Sequence, residues 1–206
     1  MDLSRPARTV VPALTADVLV VLAGTSRPLA AREVHRLVEG ASWGGVRKVL
    51  IRLADTGLAH VTEAGNATLY TLNREHVAAE AVLALVDLRS RLFDRMRAAM
   101  RGWSRPPVSA VIFGSAARGD GHIGSDIDVL VVRPSGVRAD DLQWSGDVTT
   151  LGASIRTWSG NPASILDVTE AEVRAMQRRG EPIVGELERD QVVLVGKPLS
   201  WSATSR

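Results

Sequence analysis

Between residues 111 and 132 the chain sets a glycine-rich connection between two apolar runs and ends it on two acids one residue apart. Val111-Ile112-Phe113 reads as a short buried strand. Gly114-Ser115 stops that strand with a residue that lets the backbone turn tightly and approach a ligand closely. In Ser125-Asp126-Ile127-Asp128-Val129-Leu130-Val131-Val132, strand alternation sends Asp126 and Asp128 to one face and Ile127 to the other. Two like charges on one strand face repel unless a cation neutralises them, and hard oxygen ligands select Mg²⁺ or Mn²⁺. The connection carries Ser115, Arg118, Gly119, Gly121 and Gly124, so it offers a hydroxyl, backbone N–H groups and a guanidinium fork to a polyphosphate while staying compliant. Either half alone would describe a hairpin connection or a solvated strand edge. Their order and spacing set them apart.

Together these residues resemble the Gly-Ser…Asp-x-Asp signature of the DNA polymerase beta-like nucleotidyltransferase superfamily, and most closely its minimal, antitoxin-like members. The resemblance implies a Mg²⁺-dependent (or Mn²⁺-dependent) enzyme that transfers a nucleoside monophosphate from an NTP to a hydroxyl. Asp126 and Asp128 would hold metal, and Gly114, Ser115, Arg118 and Ser125 would bind the nucleotide. The family has a third carboxylate on a later strand, and Asp167 in Pro162-Ala163-Ser164-Ile165-Leu166-Asp167-Val168 is the candidate for that catalytic and metal-binding place. Thr169-Glu170-Ala171-Glu172 also reads as a helix start, in which case Asp167 merely precedes an N-cap. Minimal nucleotidyltransferases accompany helical partner proteins in toxin–antitoxin pairs, so the resemblance makes a protein partner the favoured acceptor.

The N-terminal half has its own pattern. Helical segments over residues 13–22 and 29–38 precede a third over Ser42 to Ala54, in which Val46, Val49, Leu50 and Leu53 form a core face and leave Arg47, Lys48 and Arg52 outward. Leu58 to Thr62 and Thr68 to Leu72 alternate like strands around a hairpin tip at residues 63–67. Three helices and a hairpin in this order resemble a winged helix-turn-helix. That resemblance puts the third helix in a DNA major groove, with Ser42, Trp43, Arg47, Lys48 and Arg52 as contacts and Asn66 at the wing tip. Charge agrees in sign: residues 1–106 carry 15 cations against 10 carboxylates and residues 107–206 carry 10 against 13, so +5 stands against −3 in a chain of net +2.

From 73 to 102 one apolar stripe (Val82, Leu85, Val86, Leu92, Phe93, Met96, Met100) predicts a single long helix that joins domains, with its stripe either a homodimer seam or packed on the sheet of the nucleotidyltransferase domain. The expected fold is therefore α/β (α+β): a winged helix over 1–73, a linking helix over 74–106, a small mixed-sheet nucleotidyltransferase domain over 107–196 and a flexible tail over 197–206. With no cysteine, disulfides, zinc–thiolate sites and cysteine nucleophiles are excluded. No apolar run is long enough for a membrane span and no signal-peptide core is seen, so a cytoplasmic protein is expected. The expected partners are an NTP, duplex DNA and a helical, toxin-like protein. The competing expectation is a transcriptional regulator whose nucleotidyltransferase-like domain only senses nucleotide.

Overall fold

The computed structural model describes residues 1–199. They divide into two compact units: residues 5–89, and residues 1–4 together with the chain from Ser90 onward.

In the first unit, α1 (Ala13–Ala23), β1 (Leu29–Ala30), α2 (Ala31–Leu37), α3 (Trp43–Asp55), β2 (Ala59–Ala64), β3 (Ala67–Leu72) and α4 (Ala79–Val86) follow in that order. Its sheet is antiparallel with order β1-β3-β2. Ser42 caps α3, its Oγ accepting the Gly45 N–H at 3.2 Å, and Val46, Val49, Leu50 and Leu53 are buried. Those four pack with Val18, Leu22, Val34, Tyr70 and Leu72 in one core. The β2–β3 turn is tighter than the residues 63–67 expected: Ala64 pairs with Ala67, and Gly65, at φ +59°, opens a two-residue loop that a glycine at its first position permits.

The single helix expected over 73–102 is two. After α4 the helix ends at Asp87, and α5 (Leu88–Arg101) starts at once. Val82 joins the core of the first unit, whereas Leu92, Phe93, Met96 and Met100 join a core of the second. A 3.6-residue period runs smoothly through both stripes. Local periodicity therefore cannot show that they serve different cores.

The second unit continues with β4 (Ser109–Phe113), α6 (Gly114–Arg118), β5 (Ile127–Arg133), α7 (Leu142–Ser159), β6 (Ala163–Thr169), α8 (Glu170–Arg179), α9 (Pro182–Asp190) and β7 (Val192–Val195). Its mixed sheet has order β6-β5-β4-β7, with β5 and β6 parallel and the other pairs antiparallel. Ile127, Val129 and Val131 face one side, against Phe93, Met96 and Met100 of α5 and Trp144, Leu151 and Ile155 of α7. Leu130 and Val132 face the other, with Val111, Phe113, Val173 of α8 and Leu187 of α9. Strand alternation along β5 therefore puts Asp128 on the α8–α9 side. Leu3 is buried in the α5–α7 core, and both Leu3 and Ser4 donate their N–H groups to the Gly121 carbonyl, at 2.7 and 3.1 Å.

Of the tail expected over 197–206, residues 200–206 lie outside the described residues. Lys197 and Leu199 are held: Ser109 Oγ donates to the Lys197 carbonyl at 2.8 Å, and the Gln191 amide exchanges two bonds of 2.8 Å with Leu199. Among the described residues no helix is long and apolar enough to cross a membrane.

Candidate active site

The turn from β4 into β5 is built around Gly114. At φ +66° it occupies backbone space that side-chain-bearing residues rarely enter, and a Cβ there would lie 3.0 Å from Asp128 Oδ2. Only glycine lets the backbone pass that close to the carboxylate. Residues 114–118, expected as loop, instead form the short helix α6. It ends when the Ser115 carbonyl accepts the N–H groups of Gly119, Asp120 and Gly121 at 2.9, 3.2 and 3.2 Å. Ser115 Oγ lies beside Gly121, where a Cβ would meet it at 3.3 Å.

Asp126 is exposed just before β5, and Asp128 is half-buried within it. Burial, and then the charges of Asp126 and Glu186, hold the Asp128 carboxyl above the ordinary carboxylate range. Glu186, on α9 beside the buried Leu187, is thus a second acid, with Asp126, whose charge acts on Asp128. Sequence reasoning missed it, because α9 is brought over the β4–β5 turn by tertiary packing alone. Asp190, one turn further along α9, was missed for the same reason. Its carboxylate accepts Arg118 Nη1 at 3.2 Å while Asp120 accepts Arg118 Nε at 3.0 Å, and these two bonds push the guanidinium pKa up. Arg118 thus stands at the site already engaged by two carboxylates. Ser125 Oγ accepts the His122 N–H at 3.1 Å and lies 2.7 Å from His122 Nδ1.

Asp167 does not join these residues. In the parallel β5–β6 register Asp128 pairs with Ser164 and Val131 with Asp167, and paired residues share a face. Asp167 therefore points to the α7 side, opposite to Asp128. There its Oδ2 accepts Trp144 Nε1 at 2.9 Å and lies 3.4 Å from Arg133 Nη1. Both expected readings of this segment hold in part. The strand runs through Thr169, and Thr169 also caps α8 in a reciprocal pair with Glu172, its Oγ1 accepting the Glu172 N–H at 3.2 Å and its own N–H donating to Glu172 Oε2 at 2.7 Å. On β6 the residues that share the Asp128 face are Ser164, Leu166 and Val168, none of them acidic. Among the described residues no three acidic or imidazole side chains are gathered as a metal-binding group.

In the first unit, Trp43 is exposed and makes an edge-on contact with the His35 ring. Arg47 and Lys48 are exposed, and Arg52 donates to Thr15 Oγ1 at 2.8 Å. Asn66 is exposed at the β2–β3 turn.

Residues 95–176 match the family model of the nucleotidyltransferase domain. That span holds β4, α6, β5, α7 and β6 and stops within α8, short of α9. A solved toxin–antitoxin crystal structure with AMP-PNP is similar over 51% of this chain and 73% of its own, at 16% sequence identity and a TM-score of 0.35. No curated protein matches the chain. Residues 95–176 thus carry the domain of a nucleotidyltransferase enzyme.

Proposed function

We propose that the chain transfers a nucleoside monophosphate from an NTP to a hydroxyl acceptor at the neighbouring carboxylates Asp126 and Asp128. The observation that carries this is the pair itself: two carboxylates that form no ion pair among the described residues, the Asp128 carboxyl pKa raised by burial and like charge, at a backbone turn that favours glycine at position 114. Such a pair fits Mg²⁺ or Mn²⁺, with triphosphate oxygens completing the ligand set. Asp126 and Asp128 would hold the ion, whose chemistry there is neutralisation of the triphosphate and polarisation of the α-phosphoryl group. Gly114, Ser115 and Ser125 line the turn that would take the phosphates, and Arg118 would exchange Asp190 for a phosphate oxygen. In the transfer, the acceptor oxygen bonds to the α-phosphorus as the bond to pyrophosphate breaks. The acceptor's proton passes to a carboxylate, for which Glu186 replaces Asp167 as the candidate. The resemblance to antitoxin-like members supports a protein side chain as acceptor.

The experiment is incubation with α-labelled ATP, Mg²⁺ and cell lysate. Label on a protein or nucleic acid that depends on this chain is expected. Its absence, with ATP still bound, favours the second reading, a nucleotide sensor. One observation supports that alternative: the β6 residue facing Asp128 is Ser164, where a third acid would be needed.

The helix order and antiparallel sheet of residues 5–89 support the winged-helix reading, with α3 as the recognition helix and Arg47 and Lys48 exposed on it. Duplex binding should then weaken steeply with salt, and Lys48→Ala should reduce the log–log slope by about one. Gel shifts without binding at low salt would make this unit a protein-interaction module.

A further inference from the structure

Asp126 is exposed and precedes the strand, so neither ladder pairing nor core packing fixes it. Something else must hold its backbone. The two peptides flanking it are bonded to the same neighbouring pair of residues. The Ser125 carbonyl accepts Asn161 Nδ2 at 3.0 Å, and the Ile127 N–H donates to the Pro162 carbonyl at 2.9 Å. Asn161 is fully buried and uses its whole side chain in this region: Nδ2 also reaches the His122 carbonyl at 3.4 Å, and Oδ1 accepts the Met1 amino group at 2.6 Å. Its own N–H is anchored on Ser159 Oγ at 3.0 Å. The opposite end of the same loop is tied by the two N–H groups that Leu3 and Ser4 place on Gly121.

We infer that Asn161 is a positioning residue for Asp126. Its amide clamps the loop that sets the direction of the first metal-binding carboxylate. An alternative in which Asn161 only satisfies buried carbonyls would cost stability on mutation without touching the site, because the folded remainder would still present Asp126. The inference rests on the metal-binding reading of Asp126, and the test separates the two.

Asn161→Ala is compared with Ser159→Ala, which disturbs the same buried corner but donates to no carbonyl of the loop. Asn161→Ser, which keeps one donor, serves as a milder variant. Two quantities are read: hydrogen exchange of the 119–128 segment without nucleotide, and Mg²⁺ affinity in the presence of ATP. For Asn161→Ala, faster exchange in that segment and about 10-fold weaker Mg²⁺ binding are expected, on the scale of lost ligand-orienting contacts. Asn161→Ser should fall between, and Ser159→Ala, which removes only the anchor of the Asn161 N–H, should lower the melting temperature while changing both quantities much less than Asn161→Ala. The proposal is overturned if exchange in 119–128 stays at the wild-type rate, or if Mg²⁺ affinity drops equally in Ser159→Ala. Should the wild type bind no Mg²⁺ with ATP, the nucleotidyl-transfer reading fails, and the role of Asn161 toward a metal ligand fails with it. The exchange result then reports the clamp alone.

Discussion

Replacing both Asp126 and Asp128 by Asn is expected to abolish the Mg²⁺-dependent part of the ATP-induced rise in melting temperature. Transfer should fall on the order of 10³-fold or more, the kinetic equivalent of the several kcal/mol that a metal supplies. The same substitution should stabilise the metal-free protein at neutral pH. Burial raises the folded-state pKa of Asp128, ahead of the charges of Asp126 and Glu186. A carboxyl with a raised folded pKa contributes stability that is fully present below its unfolded pKa and is lost as pH rises through the folded value. The metal-free wild type should therefore lose stability across that window, and the double variant should not. Thermal melts between pH 3 and about pH 8, with and without Mg²⁺ and ATP, read the three stability effects, and labelled-ATP assays read the loss of transfer. A double variant that keeps the full Mg²⁺ response would remove these two residues from the site.

Asp167→Ala is expected to destabilise the second unit by about 3 kcal/mol while leaving transfer per folded molecule near the wild-type rate. Arg133 is 6% exposed, and its contact with Asp167 at 3.4 Å is closer than that with Glu172 at 3.9 Å. Arg133 Nε and Nη1 and Asp167 Oδ1 are buried without a hydrogen-bond partner among the described residues, so this ion pair is already poorly satisfied. Removing its acid leaves a buried guanidinium nearly uncompensated, and leaves Trp144 Nε1 without its acceptor. Replacing Arg133 by Met and Asp167 by Leu together should recover most of the loss, since a well-packed apolar pair often matches a buried ion pair. Urea unfolding gives the stability and single-turnover assays the activity. If Asp167→Ala keeps wild-type stability but transfers 10²–10⁴-fold more slowly, the usual contribution of a positioned base, then Asp167 does act in the chemistry.

The contrast between Asp128 and Asp167 shows where sequence suffices. Asp128 was legible because the strand and the alternation that orients it lie in one short stretch, whereas Asp126 precedes β5 and the peptides flanking it are held by Asn161 and Pro162. Asp167 was assigned to the correct strand, but its face depends on register. One residue's shift in pairing with β5 would turn it toward Asp128, and no local pattern encodes that choice. The helices of residues 5–89 were readable because each carries its own apolar stripe and stop signal. The break at Asp87 was not, because the stripes on either side happen to be in phase. Glu186, Asp190 and Asn161 reach the site from α9 and from the α7–β6 connection, and their separation in sequence hides them.

The packing of Leu3 and the bonds of residues 3 and 4 to Gly121 also bear on how the chain acquires its structure during synthesis. Residues 5–89 are complete as a unit once they leave the ribosome, so they can fold early. Residues 1–4 leave the ribosome before that unit, yet their partners Gly121, Ser159 and Asn161 come up to 160 residues later. At about 5–20 residues per second, Leu3 waits roughly 8–30 s with its apolar side chain in water. A fragment starting at residue 90 would never receive it, and its core would hold a leucine-sized gap beside Gly121. Fragments meant to report on transfer should therefore keep the first four residues, supplied in cis or as a peptide.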